Sequence, residues 1–237
     1  CYGNSRLQTP NLDQLAAEGI RFTNFYAGAA ASTPSRAALL TGRYAERAGL
    51  QGVVDDLSVN GLESDEFTLA DYLKQNNYAT GIFGKWHLGC LPEHLPLRHG
   101  FNEFFGLPYS NDMWPFHPQP GHPYRALPLY DNERVVEYNP TVNHMTTRIT
   151  ERATAFIDKH KNEPFLLYVP YTQPHVPLGV SDKFKGKSGE GLYADVIMEI
   201  DWSVGEIMKT LKENGLDDHT LVLFTSDNGP WLSYGNH

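Results

Sequence analysis

The sequence predicts an α/β fold, with a largely parallel central sheet and helices on both faces. Two observations carry this. Strand-like runs alternate with helical ones along all 237 residues, and the crossovers between them are long. A third is consistent with it: polar residues of chemical interest, Ser32, Lys85, His87, His175, Asp227 and Asn228, each fall just past a strand-like run. Ligands of open α/β sheets sit at such carboxyl ends.

The elements follow in order. Thr9 to Gly19 reads as a helix with a Thr cap, Pro10 in the first turn and a terminal glycine. Ile20 to Tyr26 reads as a strand, leading through Ala27–Ala31 into a short helix. There Thr33 is the expected N-cap, Pro34 sits where a missing N–H is tolerated, and Gly42 is the stop. Residues 44–66 read as loop. Thr68 to Asn76 is a helix with Thr68 and Asp71 spaced as a capping box. Tyr78 to Phe83 is a strand running into Gly84-Lys85-Trp86-His87-Leu88-Gly89. Residues 107–140 hold seven of the sixteen prolines and read as a long irregular excursion. Val142, Met145, Ile149, Ala153 and Phe156 mark one face of a helix. Phe165–Val169 reads as a short buried strand, and Leu192–Leu211 as a helix with Val196, Ile200, Val204, Ile207 and Leu211 on one stripe. Leu221–Thr225 is the last expected strand, ending at Ser226-Asp227-Asn228-Gly229.

Composition bounds the function. A net charge of −9 argues against general nucleic-acid binding, and no apolar run approaches membrane-spanning length. An anionic small substrate remains compatible, because local cations can reverse the potential inside one cleft. Two cysteines, Cys1 and Cys90, make neither a disulfide framework nor a zinc motif.

Ser32-Thr33-Pro34-Ser35-Arg36 places a hydroxyl, a helix N-terminus and a guanidinium within five residues. Free N–H groups and the dipole favour an anion there, and the planar guanidinium suits tetrahedral oxyanions. Taken alone, these five residues also describe an ordinary capped helix start. The longer string Ser32-Thr-Pro-Ser-Arg-Ala-Ala-Leu-Leu-Thr-Gly-Arg43 resembles the signature of the type I, formylglycine-dependent sulfatases, which are alkaline-phosphatase-like in fold. Gly84 to Gly89 resembles a second motif of that family. Cys or Ser stands there at the position of Ser32 and is oxidised to formylglycine, whose hydrate attacks sulfur.

By that resemblance Arg36 and Lys85 bind sulfate, and His87 orients or deprotonates the hydrate. His175, held between Pro174 and Pro177, is the leaving-group histidine. Asp227 and Asn228 are part of a Ca2+ site, with Mg2+ the alternative; their oxygens suit a hard cation, although Asn-Gly is also a common tight turn. Ser110 resembles a substrate-pocket serine. The family's acidic pair upstream of a Tyr-Gly like Tyr2-Gly3, and its second lysine, find no counterpart in these 237 residues. The resemblance thus implies a partial N-terminal catalytic domain over residues 1–237. Its partners would be an oligosaccharide or small-molecule sulfate ester and a formylglycine-generating enzyme, with no nucleic acid and no membrane span. Its location would be periplasmic, secreted or lysosomal.

Two other readings stay open. One is a phosphoester or phosphonate hydrolase of the same superfamily. The other is a non-catalytic binder of sulfated glycans with Ser32 unmodified. A serine hydrolase is disfavoured, since no Gly-x-Ser-x-Gly elbow surrounds Ser32. Arg36 is expected to matter for turnover rather than stability. Within the excursion, Trp114, Phe116 and Tyr124 are flat enough to stack on sugar faces, and Asn111, Asp112, His117, His122 and Arg125 can bond ring hydroxyls; packing of the loop is the alternative.

Overall fold

The computed structural model describes residues 1–117 and 124–230. Five strands form one mixed sheet in the order β4-β3-β2-β1-β5. Strand β1 (Ala79–Lys85) runs parallel to β2 (Glu103–Leu107) on one side and to β5 (Phe165–Tyr168) on the other. Beyond β2, β3 (Pro128–Asp131) and β4 (Arg134–Tyr138) add an antiparallel hairpin. The parallel pairing predicted from the long crossovers is therefore confined to the middle of the sheet, where β1 is covered on both faces.

Residues next to each other in the central strands serve opposite faces, as the two-residue period of a strand requires. Ile82 and Phe104 join one apolar cluster with Trp86, Phe101, Leu50 and Leu62, packed against Ala37 and Leu40 of helix α2 (Ser32–Thr41) and Ala70 of α3 (Leu69–Gln75). Phe83 and Phe105 join a second with Leu107, Leu127, Leu129 and one face of helix α4 (Met145–His160). That face is Met145, Ile149, Ala153 and Phe156, all buried and spaced as predicted. Each fully buried Leu, Ile or Phe contributes roughly 1.5–3 kcal/mol from surface removed from water. Helix α5 (Leu192–Glu213) packs on α4, and helix α1 (Pro10–Glu18) packs on α5. Buried Asp201 of α5 accepts from the backbone N–H groups of Asn11 (3.2 Å) and Leu12 (2.8 Å), placing a carboxylate at the positive end of α1.

Local signals hold at several element ends. Thr68 and Asp71 form the capping box of α3. Gly42 adopts φ 67° and donates its N–H to Ala38, closing α2.

Five expectations need correction. Ile20–Tyr26 and Leu221–Thr225 are not strands; both lie largely exposed, Ile20 and Leu221 at 83% each. Apolar content suits a strand, but a strand needs a partner edge, and neither segment pairs with one among the described residues. The excursion 107–140 is not wholly irregular, because it contains the β3–β4 hairpin, turned at Asn132 with φ 56°. Strand β5 is half-buried rather than buried, as befits an edge. Helix α2 begins at Ser32, one residue before the expected cap. Among the described residues, no helix is long and apolar enough to cross a membrane.

Candidate active site

The site is assembled at the carboxyl end of β1. Glycine makes this possible at two places. Gly84 has φ 136°, and a Cβ there would overlap the Pro170 carbonyl oxygen; a Cβ at Gly106 would overlap the Gly84 carbonyl. Close approach lets the end of β1 splay between its neighbours. The Lys85 N–H donates to Pro170 on the β5 side at 2.7 Å. The Trp86 and His87 N–H groups donate to Leu107 and Pro108 on the β2 side, each at 2.9 Å. His87 has φ 62°, so Lys85 and His87 are not two residues of one extended strand, contrary to a simple alternation. Trp86 between them is anchored in the core by its indole N–H, which donates to the His94 carbonyl at 2.7 Å.

Arg36 is the hub. It lies one turn along α2 from Ser32 and is 5% exposed. Its Nε donates to Ser32 Oγ (2.7 Å), Nη1 to the Lys85 carbonyl (2.8 Å) and Nη2 to Asp227 Oδ2 (3.0 Å). One guanidinium thus ties together the helix, the end of β1 and the last described segment. It is a structural bridge as well as a charge, so the expectation that Arg36 matters little for stability is corrected. Thr33 is not the cap either: Ala31 takes the N-cap position, and Thr33 Oγ1 accepts from the Val54 N–H at 3.2 Å, binding the 52–56 loop to α2.

Burial and neighbouring charge set the protonation states. Burial and then Arg36 push Lys85 down to about 7, against Asp227 and Asp112, which favour its cation. Its Nζ donates to Ser110 Oγ at 3.3 Å. His87 is held well below the ordinary imidazole range, by burial first and then by Lys85 and Arg36. It is therefore neutral at pH 7. Its Nε2 contacts the Val54 carbonyl at 2.9 Å, and a carbonyl can only accept, so Nε2 carries the proton and Nδ1 is a bare base. Among the described residues that buried Nδ1 has no hydrogen-bond partner.

His175 is lowered by burial and Lys85, opposed by Asp112 and Asp227. Its Nδ1 lies 2.7 Å from the Val176 carbonyl, which fixes a proton on Nδ1. At Asp227, burial favours the neutral acid but Arg36 and Lys85 outweigh it, holding the carboxyl below its usual range.

Ser32, Arg36, Lys85 and Asp227 are joined by direct contacts, and Ser110 by its bond to Lys85. His87 and His175 are their electrostatic neighbours. Asn228 follows Asp227 in the chain, with its Nδ2 donated to the Gly229 carbonyl at 2.8 Å. Trp114 packs on the α4-side core and makes an edge contact with exposed Phe116, centroids 5.0 Å apart. Asn111 is fully buried and bonds backbone carbonyls, so it is not a ready sugar ligand. His122 lies outside the described residues. Tyr168 was missed. Its hydroxyl is raised by burial, with Arg36 opposing, and its signal in the sequence is a polar residue at the end of β5.

Among the described residues, no group of three or more His, Cys, Asp or Glu side chains could hold a metal ion. Asp227 and Asn228 are an oxygen-only pair, which fits a hard cation in kind and supplies two of the six to eight ligands Ca2+ takes.

A family model described as Sulfatase matches residues 1–237. Arylsulfatase A of Bos taurus is 43% identical over 246 residues, covering 97% of this chain and 48% of that protein. An N-acetylgalactosamine-6-O-sulfatase of Bacteroides thetaiotaomicron is 35% identical over 289 residues, covering 99% of this chain and 57% of that protein. A solved structure from work on glycosaminoglycan metabolism by Bacteroides thetaiotaomicron superposes with a TM-score of 0.83 at 33% identity, covering 97% of this chain and 59% of the other. The chain spans about half the length of the curated relatives it matches.

Proposed function

Because this chain belongs to the sulfatase family, we propose that it is part of an N-terminal catalytic domain that hydrolyses sulfate monoesters, with a sulfated carbohydrate as substrate. The observation that carries the reading is the Arg36 fan, which sets a buried cation against Ser32, the Lys85 carbonyl and Asp227 at the carboxyl end of β1. The carbohydrate assignment is supported by the name of the Bacteroides relative and by the aromatic surface at Trp114 and Phe116.

The residues around Ser32 fit the formylglycine expected there. Its Oγ already receives a charged N–H, and the unpaired Nδ1 of His87 is a base in the same site. Oxidised by a formylglycine-generating enzyme and hydrated, residue 32 supplies a nucleophilic hydroxyl. His87 Nδ1 takes the hydroxyl proton; its neutral state at pH 7 is what permits this. Arg36 and Lys85 face the non-bridging sulfuryl oxygens, and a bound sulfate ester restores the positive charge that burial has weakened on Lys85. A bound sulfate ester, being anionic, favours the imidazolium of His175, which keeps Nδ1–H on the Val176 carbonyl and gives its second ring proton to the bridging oxygen as the S–O bond breaks and that bond's electron pair passes to the oxygen. Asp227 and Asn228 would hold Ca2+ or Mg2+, which would neutralise charge on the same oxygens.

The test is a pair of assays on the protein produced from its full reading frame. One uses a sulfated sugar or aryl sulfate, the other the matching phosphate ester. Higher kcat/KM for the sulfate is expected. Preference for the phosphate would assign the site to phosphoryl chemistry instead.

A further inference from the structure

Thr33 stands one residue from the nucleophile position and is wholly buried in the first turn of α2. Its hydroxyl accepts the Val54 N–H at 3.2 Å. Val54 lies outside any helix or strand, so no ladder supplies partners for its backbone groups. Its carbonyl accepts the Nε2–H of His87 at 2.9 Å, and both bonds are buried. The main chain of one loop residue is therefore clasped between the helix that carries Ser32 and the end of β1 that carries His87. The Val54 side chain sits in the apolar cluster with Ala37, Leu40 and Trp86. Apolar packing is non-directional, so it holds the residue in place without aiming its carbonyl. A hydrogen bond is directional, and the one from Val54 to Thr33 does aim it.

We propose that Thr33 is a positioning residue for His87: by accepting the Val54 N–H, its hydroxyl aims the carbonyl that keeps the His87 proton on Nε2 and so leaves Nδ1 as the base. The inference rests on the reading of His87 as base given above. A neutral imidazole carries one ring proton, which can sit on either nitrogen. On Nδ1 it would abolish the base that the mechanism uses. The Val54 carbonyl decides between the two, but only while it points at the ring. Threonine suits the task because its branched side chain is stiff at χ1, which fixes where the oxygen sits. Thr33 does not touch the substrate; it acts through Val54 and the histidine.

Such a role leaves a signature that mere structural support does not. Thr33 lies inside the Ser32-to-Arg36 string, so its replacement can change how much formylglycine forms. Activity of the full-length protein is therefore counted per aldehyde. Thr33→Val keeps the shape and removes the acceptor. Its kcat per aldehyde should fall on the order of tenfold, part of the roughly 10²–10⁴-fold that a positioned base is worth, with KM within about twofold of the parent. Thr33→Ser restores the acceptor and should recover most of the loss. A second readout needs no turnover. In protein with Ser32 unmodified, the 15N-labelled His87 ring, assigned through His87→Gln, should show a protonated Nε2 and a bare Nδ1 in the parent and in Thr33→Ser. In Thr33→Val the two nitrogen signals should draw together, as the proton is shared between them.

An unchanged kcat per aldehyde in Thr33→Val overturns the inference, as does an unchanged His87 ring spectrum. An equal loss in Thr33→Ser overturns it too, because the hydroxyl would then not be what matters. Should Thr33→Val not fold, Thr33→Ala removes the same acceptor without placing a methyl against the Val54 N–H, and is read in the same way. A parent protein that carries formylglycine yet hydrolyses no sulfate ester would overturn the functional reading itself. An active parent whose turnover and ring spectrum are indifferent to Thr33→Val would overturn the inference alone.

Discussion

Arg36→Ala should cost both turnover and stability, and the stability cost can be worked from three contacts. The substitution strands the Ser32 hydroxyl, the Lys85 carbonyl and the Asp227 carboxylate. Two neutral buried acceptors left unpaired cost about 1 kcal/mol each. The carboxylate would cost more if fully buried, but its side chain is 29% exposed and water can reach it, so about 1 kcal/mol is retained. The sum is about 3 kcal/mol, which in a domain of this size lowers Tm by about 6–12 °C. Arg36→Lys keeps the charge but cannot reach three partners at once, so it should fall between parent and Ala. Thermal unfolding followed by circular dichroism reads both. A Tm for Arg36→Ala within about 2 °C of the parent would refute the bridge. Loss of melting temperature with retained hydrolysis would refute the assigned role in sulfate binding.

Other consequences are equally open to measurement. His99 is wholly buried against Trp86 and is pushed down to about 4 by burial, so between pH 6.5 and 4 only the unfolded chain binds its proton. Stability should therefore fall as pH drops through that window, by about 3 kcal/mol from this group alone, and His99→Phe should remove that share of the slope in urea titrations at pH 7 and pH 4.5. An unchanged slope would show that His99 is not the group responsible. Gly84→Ala should fold poorly or melt well below the parent, because its Cβ meets the Pro170 carbonyl at positive φ; a Tm unchanged within error contradicts the close approach. Adding Ca2+ should raise the Tm of the full-length protein and not that of Asp227→Ala, read by the same melt. Replacing Trp114 and Phe116 together by Ala should raise KM for a sulfated sugar while sparing a small aryl sulfate; an equal effect on both makes the pair packing residues.

What was legible in the sequence divides by the range of the interaction that decides it. The stripes of α4 and α5 and the capping box of α3 are set within one or two helical turns, and they lie where the spacing put them. The site segments were legible as motifs, because Ser32, Lys85 and His175 sit in short strings with restricted backbones. The strands expected at 20–26 and 221–225 failed because pairing is non-local, and apolar runs do not say where a partner edge is. The β3–β4 hairpin was hidden by the prolines around it, although Asp131-Asn132-Glu133 is a turn of ordinary composition. The bend at His87 and the reach of Arg36 to three separate elements depend on distances across the fold that no spacing encodes.

The central claim is that residue 32 becomes the nucleophile of a sulfate ester hydrolase. The most direct measurement is the mass of the peptide spanning Ser32, taken from a preparation that hydrolyses a sulfate ester. The account predicts a peptide two hydrogens lighter than the serine form and reactive towards aldehyde reagents, with activity rising in proportion to its fraction. A fully active preparation in which that peptide carries only unmodified serine would contradict it.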